Sequence, residues 1–510
     1  MHAIRIAALL ILVPVTAVAQ QRSARDPLSG FDAYVRQALK DWEVPGLAIA
    51  VVKDDSVVFA RAYGVKELGG RDPVTTHTLF ANASTTKAFT SMAVAMMVDG
   101  GKLSWDDPVA RHLPRFVLRD PYVTQELTVR DLLTHRVGFG DPSYLWYGVN
   151  YEYPEIVRRL RHVEPATSFR SRFAYNNISY ATAGIIAGEV NGTSWDELVR
   201  QRILQPLGMR ETVTQGRDLA GHQDVARPHD LIDDTLRVIS GVELVDPIAP
   251  AGSMYSSVAD MTHWIRFLLN EGRAGDQQLV SDTAFAELLR PQVIIPEDEF
   301  YPTGHLTQPH FTAYGLGWFL QDYRGEFVAF HTGSIDGTVA IVGLLPDREL
   351  GLVVFANRDH AELRHALMYR VFDAYLGREQ RDWSTDMQAM YDSLAAEGRK
   401  RRERLEQQRV KGTAPTLPLE DYAGTYIDSL YGTVQVRLEE NVLVLERSPH
   451  LTADLSHWHY DVFRTVWRKR WLEKGMVSFR LGRDGKVAAL EIQGMVLRRI
   501  PKGEGAEERQ

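Results

Sequence analysis

The chain has 510 residues, of which 45% are apolar and 24% are charged, and its formal net charge at pH 7 is -8. These values are typical of a globular protein with several domains, and the mild acidity excludes a protein that binds nucleic acid through a basic surface. The sequence has no cysteine, which excludes disulfides, thiolate metal sites and a cysteine nucleophile. Covalent catalysis would therefore depend on Ser, Thr, Lys or a carboxylate.

The first 19 residues have the pattern of a secretion signal. Arg5 gives a charged start, residues 6–13 form an apolar run, and the triplet A-V-A at residues 17–19 fits a cleavage site. The apolar run is much shorter than the ~20 residues that a membrane-spanning helix needs. We therefore expect cleavage after Ala19 and a periplasmic or secreted protein whose mature chain has no transmembrane segment.

Residues 20–380 have the periodicity of an α+β domain. Alternating β-rich runs predict strands at residues 46–52, 56–63, 327–332, 338–345 and 351–356. Apolar residues at helical spacing predict helices at residues 85–99, 129–133, 179–190 and 194–204, and a closing helix at residues 360–376. Ser257 with Asp260 fits the capping box of another helix. We expect one antiparallel sheet, built from both ends of the domain, with flanking helices and a helical insertion.

Two further segments follow this domain. Residues 381–415 are predicted to be a helical linker, because a polar helical pattern ends at Gly412 and Pro415. Residues 416–503 are predicted to form a small antiparallel barrel or sandwich without helices. Its strands are predicted at residues 422–427, 432–438, 441–446, 451–455, 459–467, 476–481, 487–493 and 495–500. The polar tail at residues 504–510 is predicted to be disordered.

The sequence S-T-T-K at residues 84–87 is the one place where a lysine follows a serine by three residues. In the first turn of a helix this spacing places both side chains on one face, so the Lys87 amine can reach the Ser84 hydroxyl. The helix N-terminus and nearby positive charge would lower the pKa of the lysine and produce a neutral amine that can take the serine proton. Taken alone, the motif is also compatible with a serine that only caps the helix.

Two later motifs give this pattern more weight. The sequence Y-N-N at residues 175–177 precedes a predicted helix, and H-T-G-S at residues 331–334 ends a predicted strand. In this order the three motifs resemble those of the serine β-lactamase and penicillin-recognising superfamily, with a likeness to class C-like hydrolases, family VIII carboxylesterases and D-aminopeptidases. The resemblance covers about residues 28–377. The C-terminal barrel resembles the lipocalin-like modules attached to some of these hydrolases.

The resemblance implies a covalent mechanism. It makes Ser84 the acylated nucleophile, Lys87 its base, and Tyr175 the group that relays a proton to the leaving group. The oxyanion hole would be formed by the backbone N–H groups of Ser84 and Ser334. The residues implied to orient the substrate are Asn177, His331, Thr332 and Gly333. Structural roles remain open for three of these residues: Tyr175 as a packing residue, Asn177 as a helix cap and His331 as a buried strand histidine.

His331 is a departure from the family pattern. Members that handle penicillins usually have a lysine there, whose fixed charge meets a substrate carboxylate, and this chain has no lysine between Lys102 and Lys400. Because histidine is only partly charged near neutral pH, we expect weaker and pH-dependent recognition of carboxylates. This substitution argues against a dedicated β-lactamase.

The sequence thus predicts an exported serine hydrolase that cleaves small amides or esters through an acyl-enzyme. The first interpretation is a peptidase that acts on peptides with D-residues or of envelope type, and the alternatives are a family VIII-type carboxylesterase and a β-lactamase or D-Ala-D-Ala carboxypeptidase. A different class of function is a noncatalytic binding protein that retains the pocket. We expect no cofactor and no metal ion, a small-molecule or short peptide substrate, no nucleic acid partner, and a homo-oligomer formed through the C-terminal domain.

Overall fold

The structure, a computed structural model, describes residues 26–501 except for residues 241, 379 and 380. The predicted signal segment (residues 1–19) and the predicted tail (residues 504–510) lie outside the described residues. Within the described part of the chain, no helix combines the length and apolar character needed to cross a membrane.

An eight-stranded antiparallel sheet forms the centre of the N-terminal domain. The strands of this domain are β1 (Gly46–Lys53), β2 (Ser56–Gly64), β3 (Phe80–Ala81), β4 (His229–Ile232), β5 (Thr235–Val238), β6 (Tyr255–Ser256), β7 (Arg273–Ala274), β8 (Gln277–Gln278), β9 (Val293–Ile294), β10 (Thr312–Tyr314), β11 (Phe319–Tyr323), β12 (Glu326–Ile335), β13 (Thr338–Leu345) and β14 (Leu350–Ala356). The sheet has the order β2-β1-β14-β13-β12-β11-β10-β9. The predicted α+β sheet, built from both ends of the domain, is confirmed.

Two left-handed turn residues form the hairpin between β1 and β2. Asp54 and Asp55 connect β1 to β2 and have φ angles of 48° and 56°. Two successive left-handed residues are the signature of the type I′ turn, whose twist matches that of the paired strands. Strands β1, β13 and β14 are buried along nearly their whole length, because helices cover both faces of the sheet centre.

Helices surround the sheet and fill the insertion between β2 and β9. They are α1 (Phe31–Asp41), α2 (Thr86–Asp99), α3 (Val109–His112), α4 (Pro121–Glu126), α5 (Val129–Leu133), α6 (Tyr153–Arg159), α7 (Asn177–Asn191), α8 (Trp195–Val199), α9 (Gln205–Leu207), α10 (Ala249–Gly252), α11 (Val258–Leu269), α12 (Asp282–Leu288), α13 (Gly304–Thr307), α14 (Leu363–Tyr375) and α15 (Trp383–Gln407). The long helix α15 lies within the segment predicted as a linker. Ser257 caps α11 as predicted, but the Asp260 carboxylate bonds to Thr212 instead of closing the capping box.

Helix α2 is rich in apolar residues and is buried on all sides along almost its whole length. It packs against α7, α10 and α12, so it crosses the interior of the domain rather than lying on its surface. A helix buried on every side cannot shift without disrupting several neighbours. The residues at its N-terminus therefore have fixed positions.

The C-terminal region is a closed eight-stranded antiparallel barrel, which decides between the barrel and the sandwich that the sequence allowed. Its strands are β15 (Gly424–Asp428), β16 (Gly432–Glu439), β17 (Val442–Ser448), β18 (Leu451–His459), β19 (Val462–Trp467), β20 (Met476–Leu481), β21 (Val487–Ile492) and β22 (Met495–Arg499). Alternate residues point inward, where Tyr422, Phe463 and Phe479 pack edge to face.

The barrel packs against a loop of the N-terminal domain at residues 143–152. Leu451 lies so close to Gly148 that a Cβ there would be 2.7 Å from the leucine Cγ. Ser448 donates a hydrogen bond to the Gly148 carbonyl, and Arg447 donates one to the Tyr144 carbonyl. These contacts connect the barrel to the loop that carries Trp146 and Tyr147.

Candidate active site

Ser84 lies in a short 3₁₀ turn, Ala83–Thr85, immediately before α2. Ala83 has a φ of 46°, a left-handed conformation that costs a residue with a Cβ on the order of 1–2 kcal/mol. The turn is held by its surroundings, since the Asn82 N–H donates to the Met254 carbonyl at 2.8 Å. The nucleophile predicted from the sequence thus occupies a constrained backbone position.

Lys87 is fully buried and its amine reaches three oxygen atoms. Its Nζ lies 3.0 Å from Ser84 Oγ, 2.6 Å from Asn177 Oδ1 and 2.8 Å from the Ala251 carbonyl oxygen. Burial lowers the pKa of Lys87 to about 7, and the charge of Asp141 opposes this shift. The sequence suggested the helix N-terminus as the cause of a lowered pKa, whereas removal of the amine from water is the dominant cause.

Asp141 connects to the lysine through Asn177. The Asn177 side-chain amide donates to Asp141 Oδ2 at 3.0 Å, and its backbone N–H donates to Asp141 Oδ1 at 3.1 Å. The amide oxygen of Asn177 must therefore face Lys87, which fixes the orientation of the side chain. Burial raises the pKa of Asp141, and the hydrogen bonds from Asn177 oppose that rise.

Tyr175 lies beside both Ser84 and Lys87. Its ring centre is 4.9 Å from Lys87 Nζ, and the ring of His135 lies over it with centroids 4.3 Å apart. Burial raises the pKa of Tyr175 well above its ordinary value, and the Ser84 hydroxyl opposes this shift. The phenol is therefore protonated at neutral pH and is suited to donate a proton.

Strand β12 forms the opposite side of the site. Strand β11 pairs with β12 only as far as Phe330, so among the described strands the following residues have a free edge on that side. A Cβ on Gly333 would overlap the Asn82 carbonyl oxygen and lie 3.0 Å from Ser84 N, so only glycine permits this approach to the nucleophile turn. Ser334, the next residue, lines the cavity in front of Ser84.

Arg364 supports this end of β12 from α14. Its guanidinium donates to the Gly333 carbonyl, and to Ser334 Oγ at 2.9 Å. Glu362 accepts two hydrogen bonds from Arg364 at 3.1 and 2.9 Å. Because Arg364 and Glu362 are both largely buried and paired, they hold the Gly333–Ser334 peptide without presenting a free charge to the cavity.

His331 is fully buried beneath the site. Its Nδ1 lies 2.6 Å from the Thr332 carbonyl oxygen and its Nε2 lies 2.9 Å from the Tyr314 hydroxyl. Burial lowers the pKa of His331 to about 3, and the charge of Lys87 acts in the same direction. The ring is therefore neutral near pH 7, which does not support the expectation of a charged histidine that recognises carboxylates. Its assignment as a substrate-orienting residue stays a prediction.

A cavity of about 140 Å³ opens in front of Ser84. Its lining residues are Ala83, Ser84, Trp146, Tyr147, Asn177, Val245, Ile248, Ala251, Gly252, Ser334, Ile335 and Asp336. Three predicted site residues, Ser84, Asn177 and Ser334, line this cavity directly. Thr332 is placed differently, because its buried side chain bonds to the Tyr301 hydroxyl at 2.6 Å.

Sequence reasoning missed two acidic residues of the site, Asp141 and Asp336. Asp141 lies in a Gly-Asp-Pro sequence, and Asp336 follows the H-T-G-S motif by two residues. The neighbouring glycine and proline residues indicate turns at both positions in the sequence. The proximity of these two residues to Ser84, however, depends on the tertiary fold. Within the described residues, no group of three histidine or acidic side chains is arranged to hold a metal ion.

Sequence profiles of known families match two parts of the chain. The profile described as Beta-lactamase matches residues 31–376, and the profile described as a domain of unknown function, DUF3471, matches residues 408–503. The second match coincides with the β-barrel.

Among characterised proteins, the chain is similar to the unguisins hydrolase ungD of Aspergillus violaceofuscus, with 30% identity over 81% of this chain and 77% of that protein. It is also similar to the protein flp of Staphylococcus aureus strain MW2, with 24% identity over 66% of this chain and 64% of that protein.

Solved structures share the fold at lower sequence identity. The octameric penicillin-binding protein homologue from Pyrococcus abyssi aligns with a TM-score of 0.60 and 22% identity over 92% of this chain and 99% of that chain. The protein SurE, solved with D-Leu, aligns with a TM-score of 0.54 and 21% identity over 93% of this chain and 99% of that chain.

Proposed function

Since the chain belongs to the beta-lactamase family of serine hydrolases, we propose that it cleaves a small amide or ester bond through an acyl-enzyme on Ser84. The observation that carries the proposal is the contact between the Lys87 amine and the Ser84 hydroxyl at 3.0 Å. Because the pKa of this amine is lowered to about 7, a large fraction of it is uncharged near neutral pH and can accept the serine proton.

In the proposed reaction, Ser84 Oγ attacks the substrate carbonyl carbon while its proton moves to Lys87 Nζ. The backbone N–H groups of Ser84 and Ser334 stabilise the negative oxygen that forms. Tyr175 gives its phenolic proton to the leaving group as the carbonyl bond to that group breaks, and Lys87 returns a proton to Tyr175. Water then attacks the acyl-enzyme through the same proton pathway, which releases the product acid and restores the serine hydroxyl.

For the substrate class we propose short peptides, with D-residues or envelope-type peptides as the first candidates. One relative is named a hydrolase of unguisins, and SurE has been solved with D-Leu. The cavity in front of Ser84 is small, which suits one small residue on the acyl side of the scissile bond.

A carboxylesterase uses the same acyl-enzyme chemistry and is the second candidate. A β-lactamase or D-Ala-D-Ala carboxypeptidase has less support, because both must bind a substrate carboxylate close to the scissile bond. His331 is buried and neutral, and Arg364 is paired with Glu362 behind β12. Neither offers the fixed positive charge that such a substrate needs.

The test is a hydrolysis screen of D- and L-amino acid p-nitroanilides, p-nitrophenyl esters and nitrocefin, with the acyl-enzyme detected by intact mass. We expect anilides and esters to acylate the protein and Ser84→Ala to abolish both turnover and the adduct. Ser56→Ala is the matched control, since Ser56 is an exposed strand residue outside the site. Residual turnover of the Ser84 variant within tenfold of the wild type would remove Ser84 as nucleophile.

A noncatalytic binding protein would behave differently in the same screen. It would bind a substrate without turnover or a covalent adduct, and a fluorophosphonate added as a separate probe would not modify it. The arrangement of a serine, an uncharged lysine and a protonated tyrosine favours the enzyme, because a binding surface has no need of a lysine with its pKa lowered to about 7.

We also propose export and self-association. Export rests on the signal-like segment at residues 1–19, and the mass of the mature protein recovered from a secreting host tests whether cleavage follows Ala19. Self-association is supported by the octamer of the Pyrococcus abyssi protein, and the C-terminal domain is the interface that we propose. Light scattering coupled to gel filtration tests this, and a monomer at all concentrations would contradict it.

A further inference from the structure

The cavity in front of Ser84 is bordered by a negatively charged side chain. Among the described residues that surround it, Asp336 is the only charged side chain, and the others are apolar or neutral. From this position we infer that Asp336 binds a positively charged ammonium group of the substrate. The preferred substrates are then amides or esters of small amino acids whose amino group is free. This inference rests on the proposed acyl-enzyme function and names the substrate class for it.

The backbone holds Asp336 at a fixed place beside the reacting groups. Asp336 and Gly337 form the two-residue turn between β12 and β13, and Gly337 has a φ of 74°. Ser334, a proposed oxyanion-hole residue, lies two positions before Asp336 on the same strand end. When a substrate carbonyl is bonded to Ser84, an amino group on the adjacent carbon lies two bonds from the carbonyl carbon. The group therefore remains within the small cavity that the Asp336 carboxylate borders.

The hydrogen bonds of Asp336 orient its carboxylate without neutralising it. The Tyr147 hydroxyl and the Trp471 indole N–H, at 3.0 Å, both donate to Oδ2. Both donors are uncharged, and no cation among the described residues forms an ion pair with Asp336. The second carboxylate oxygen, Oδ1, has no hydrogen-bond donor within the described part of the chain. A half-buried carboxylate with one oriented, unbonded oxygen is a natural acceptor for an ammonium group.

The surroundings of Asp336 strengthen the preference for a cation. Asp230 and Asp359 lie close enough that the charge of Asp336 contributes to raising the pKa of each, after the larger effect of burial. His360 is the titratable base that opposes both shifts. A substrate carboxylate at this place would meet like charges, whereas an ammonium group would be attracted. The same site therefore selects for one charge and against the other.

The experiment compares three substrates that differ only at the amino group. They are D-alanine p-nitroanilide, its N-acetyl derivative and its N-succinyl derivative, which are cationic, neutral and anionic. We expect the wild-type enzyme to favour the free amine over the acetylated compound by about 10–100-fold in kcat/KM, the range of a hydrogen bond to a charged group. The succinylated compound should be the poorest of the three.

Two variants separate charge from hydrogen bonding. Asp336→Asn keeps an oxygen that can accept from Tyr147 and Trp471 but removes the charge, so it should lower kcat/KM for the free amine by about 10–100-fold and change the acetylated substrate by less than about threefold. Trp471→Phe removes one donor and keeps the charge, so it should retain the preference for the free amine. If the asparagine variant unfolds below the assay temperature, Asp336→Ser provides the same comparison.

The inference is overturned if the wild-type enzyme favours the acetylated or succinylated substrate, or if Asp336→Asn keeps the wild-type ratio between free and acetylated amine. Its failure is distinguishable from that of the proposed function. If a neutral p-nitrophenyl ester still acylates Ser84 while the ratio is unchanged, only the role of Asp336 is wrong. If no substrate acylates Ser84, the proposed function itself fails.

Discussion

Lys87 is subject to two opposing influences on its pKa. Burial removes the amine from water and lowers the pKa, whereas the carboxylate of Asp141 raises it, with a net value of about 7. Asn177 bonds to both residues and keeps them apart. A buried lysine without the carboxylate would be a weaker base, and one without burial would be protonated throughout the neutral range.

This balance predicts the pH dependence of acylation. A base must be unprotonated to accept the Ser84 proton, so we expect the acylation rate to rise with pH and to level off above pH of about 7. Asp141→Asn removes the charge that raises the pKa of Lys87. This variant should therefore move the midpoint of the rise in acylation rate to lower pH. The measurement is kcat/KM of a neutral p-nitrophenyl ester from about pH 5 to 9, with Asp72→Asn, an exposed aspartate, as the control. A midpoint that stays in place or moves to higher pH in the Asp141 variant would contradict the assignment of Lys87 as base.

His331 predicts a pH dependence of stability. Its pKa is about 3 in the folded protein, against an ordinary value of 6.5. Between these values the unfolded chain binds a proton that the folded chain does not, so the free energy of unfolding decreases as pH falls from 6.5 toward 3. The buried His135 and His365 act in the same direction, since the pKa of each is lowered by burial.

We therefore expect the Tm of the wild type to fall on acidification. His331→Gln retains an acceptor for the Tyr314 hydroxyl but has no titratable group, so its Tm should depend less on pH across the same range. Thermal unfolding at a series of pH values measures both. Equal slopes for the two proteins would show that His331 does not remain neutral in the folded state.

At the scale of elements, the site depends on how closely β12 approaches the start of α2. Gly333 permits this contact because any side chain would overlap the Asn82 carbonyl oxygen. The approach brings the free edge of β12 to Ser84 and leaves Ser334 on the cavity wall. A strand and the turn before a helix, which are distant in sequence, thus supply the two halves of the proposed oxyanion hole.

Gly333→Ala tests this approach. The added methyl must move β12 away from the nucleophile turn, and we expect a loss of about 1–3 kcal/mol in stability together with a larger fractional loss in kcat than in 1/KM. Gly398→Ala is the control, because a Cβ at Gly398 in α15 would meet only the end of the Arg402 side chain, at 3.8 Å. This variant should gain up to about 1 kcal/mol in stability. Full activity of Gly333→Ala would mean that the close contact is not needed for catalysis.

At the scale of the whole molecule, the barrel supports one wall of the cavity. The loop at residues 143–152 carries Trp146 and Tyr147, which line the cavity, and the barrel packs on the same loop through Leu451. Arg159, which is buried, donates to the Ser429 carbonyl at 3.0 Å. These contacts make the cavity wall depend on both domains.

We expect deletion of residues 411–510 to lower the Tm and to reduce kcat/KM for peptide substrates, because the loop loses its packing partner and Arg159 loses the carbonyl acceptors of the barrel. A small fluorophosphonate should still label Ser84, since the nucleophile turn and α2 are contained within the N-terminal domain. Thermal unfolding and labelling of the truncated chain test this, with Lys486→Ala, an exposed barrel substitution, as the control. Unchanged peptide hydrolysis in the truncated protein would show that the barrel has no part in the cavity.

The sequence by itself determined the features that depend on neighbouring residues. Alternation and turn chemistry predicted the β1–β2 hairpin, the strands from β12 to β14 and most barrel strands, and helical spacing predicted α2, α7 and α14. The order of three short motifs indicated the family and placed Ser84, Lys87 and Tyr175 as candidates. These inferences succeed because secondary structure and short motifs are governed by residues a few positions apart.

Only the tertiary structure decided how distant segments meet. The short strands β9 to β11, at one end of the sheet, carry too few residues for a periodic signal. An alternating pattern alone does not distinguish a closed barrel from a sandwich. The neutral state of His331, the link from Asp141 through Asn177 to Lys87, and the contact of Trp471 with Asp336 all depend on burial and on pairs separated by many residues. Desolvation and long-range packing are properties of the assembled fold, so no local pattern in the chain could have shown them.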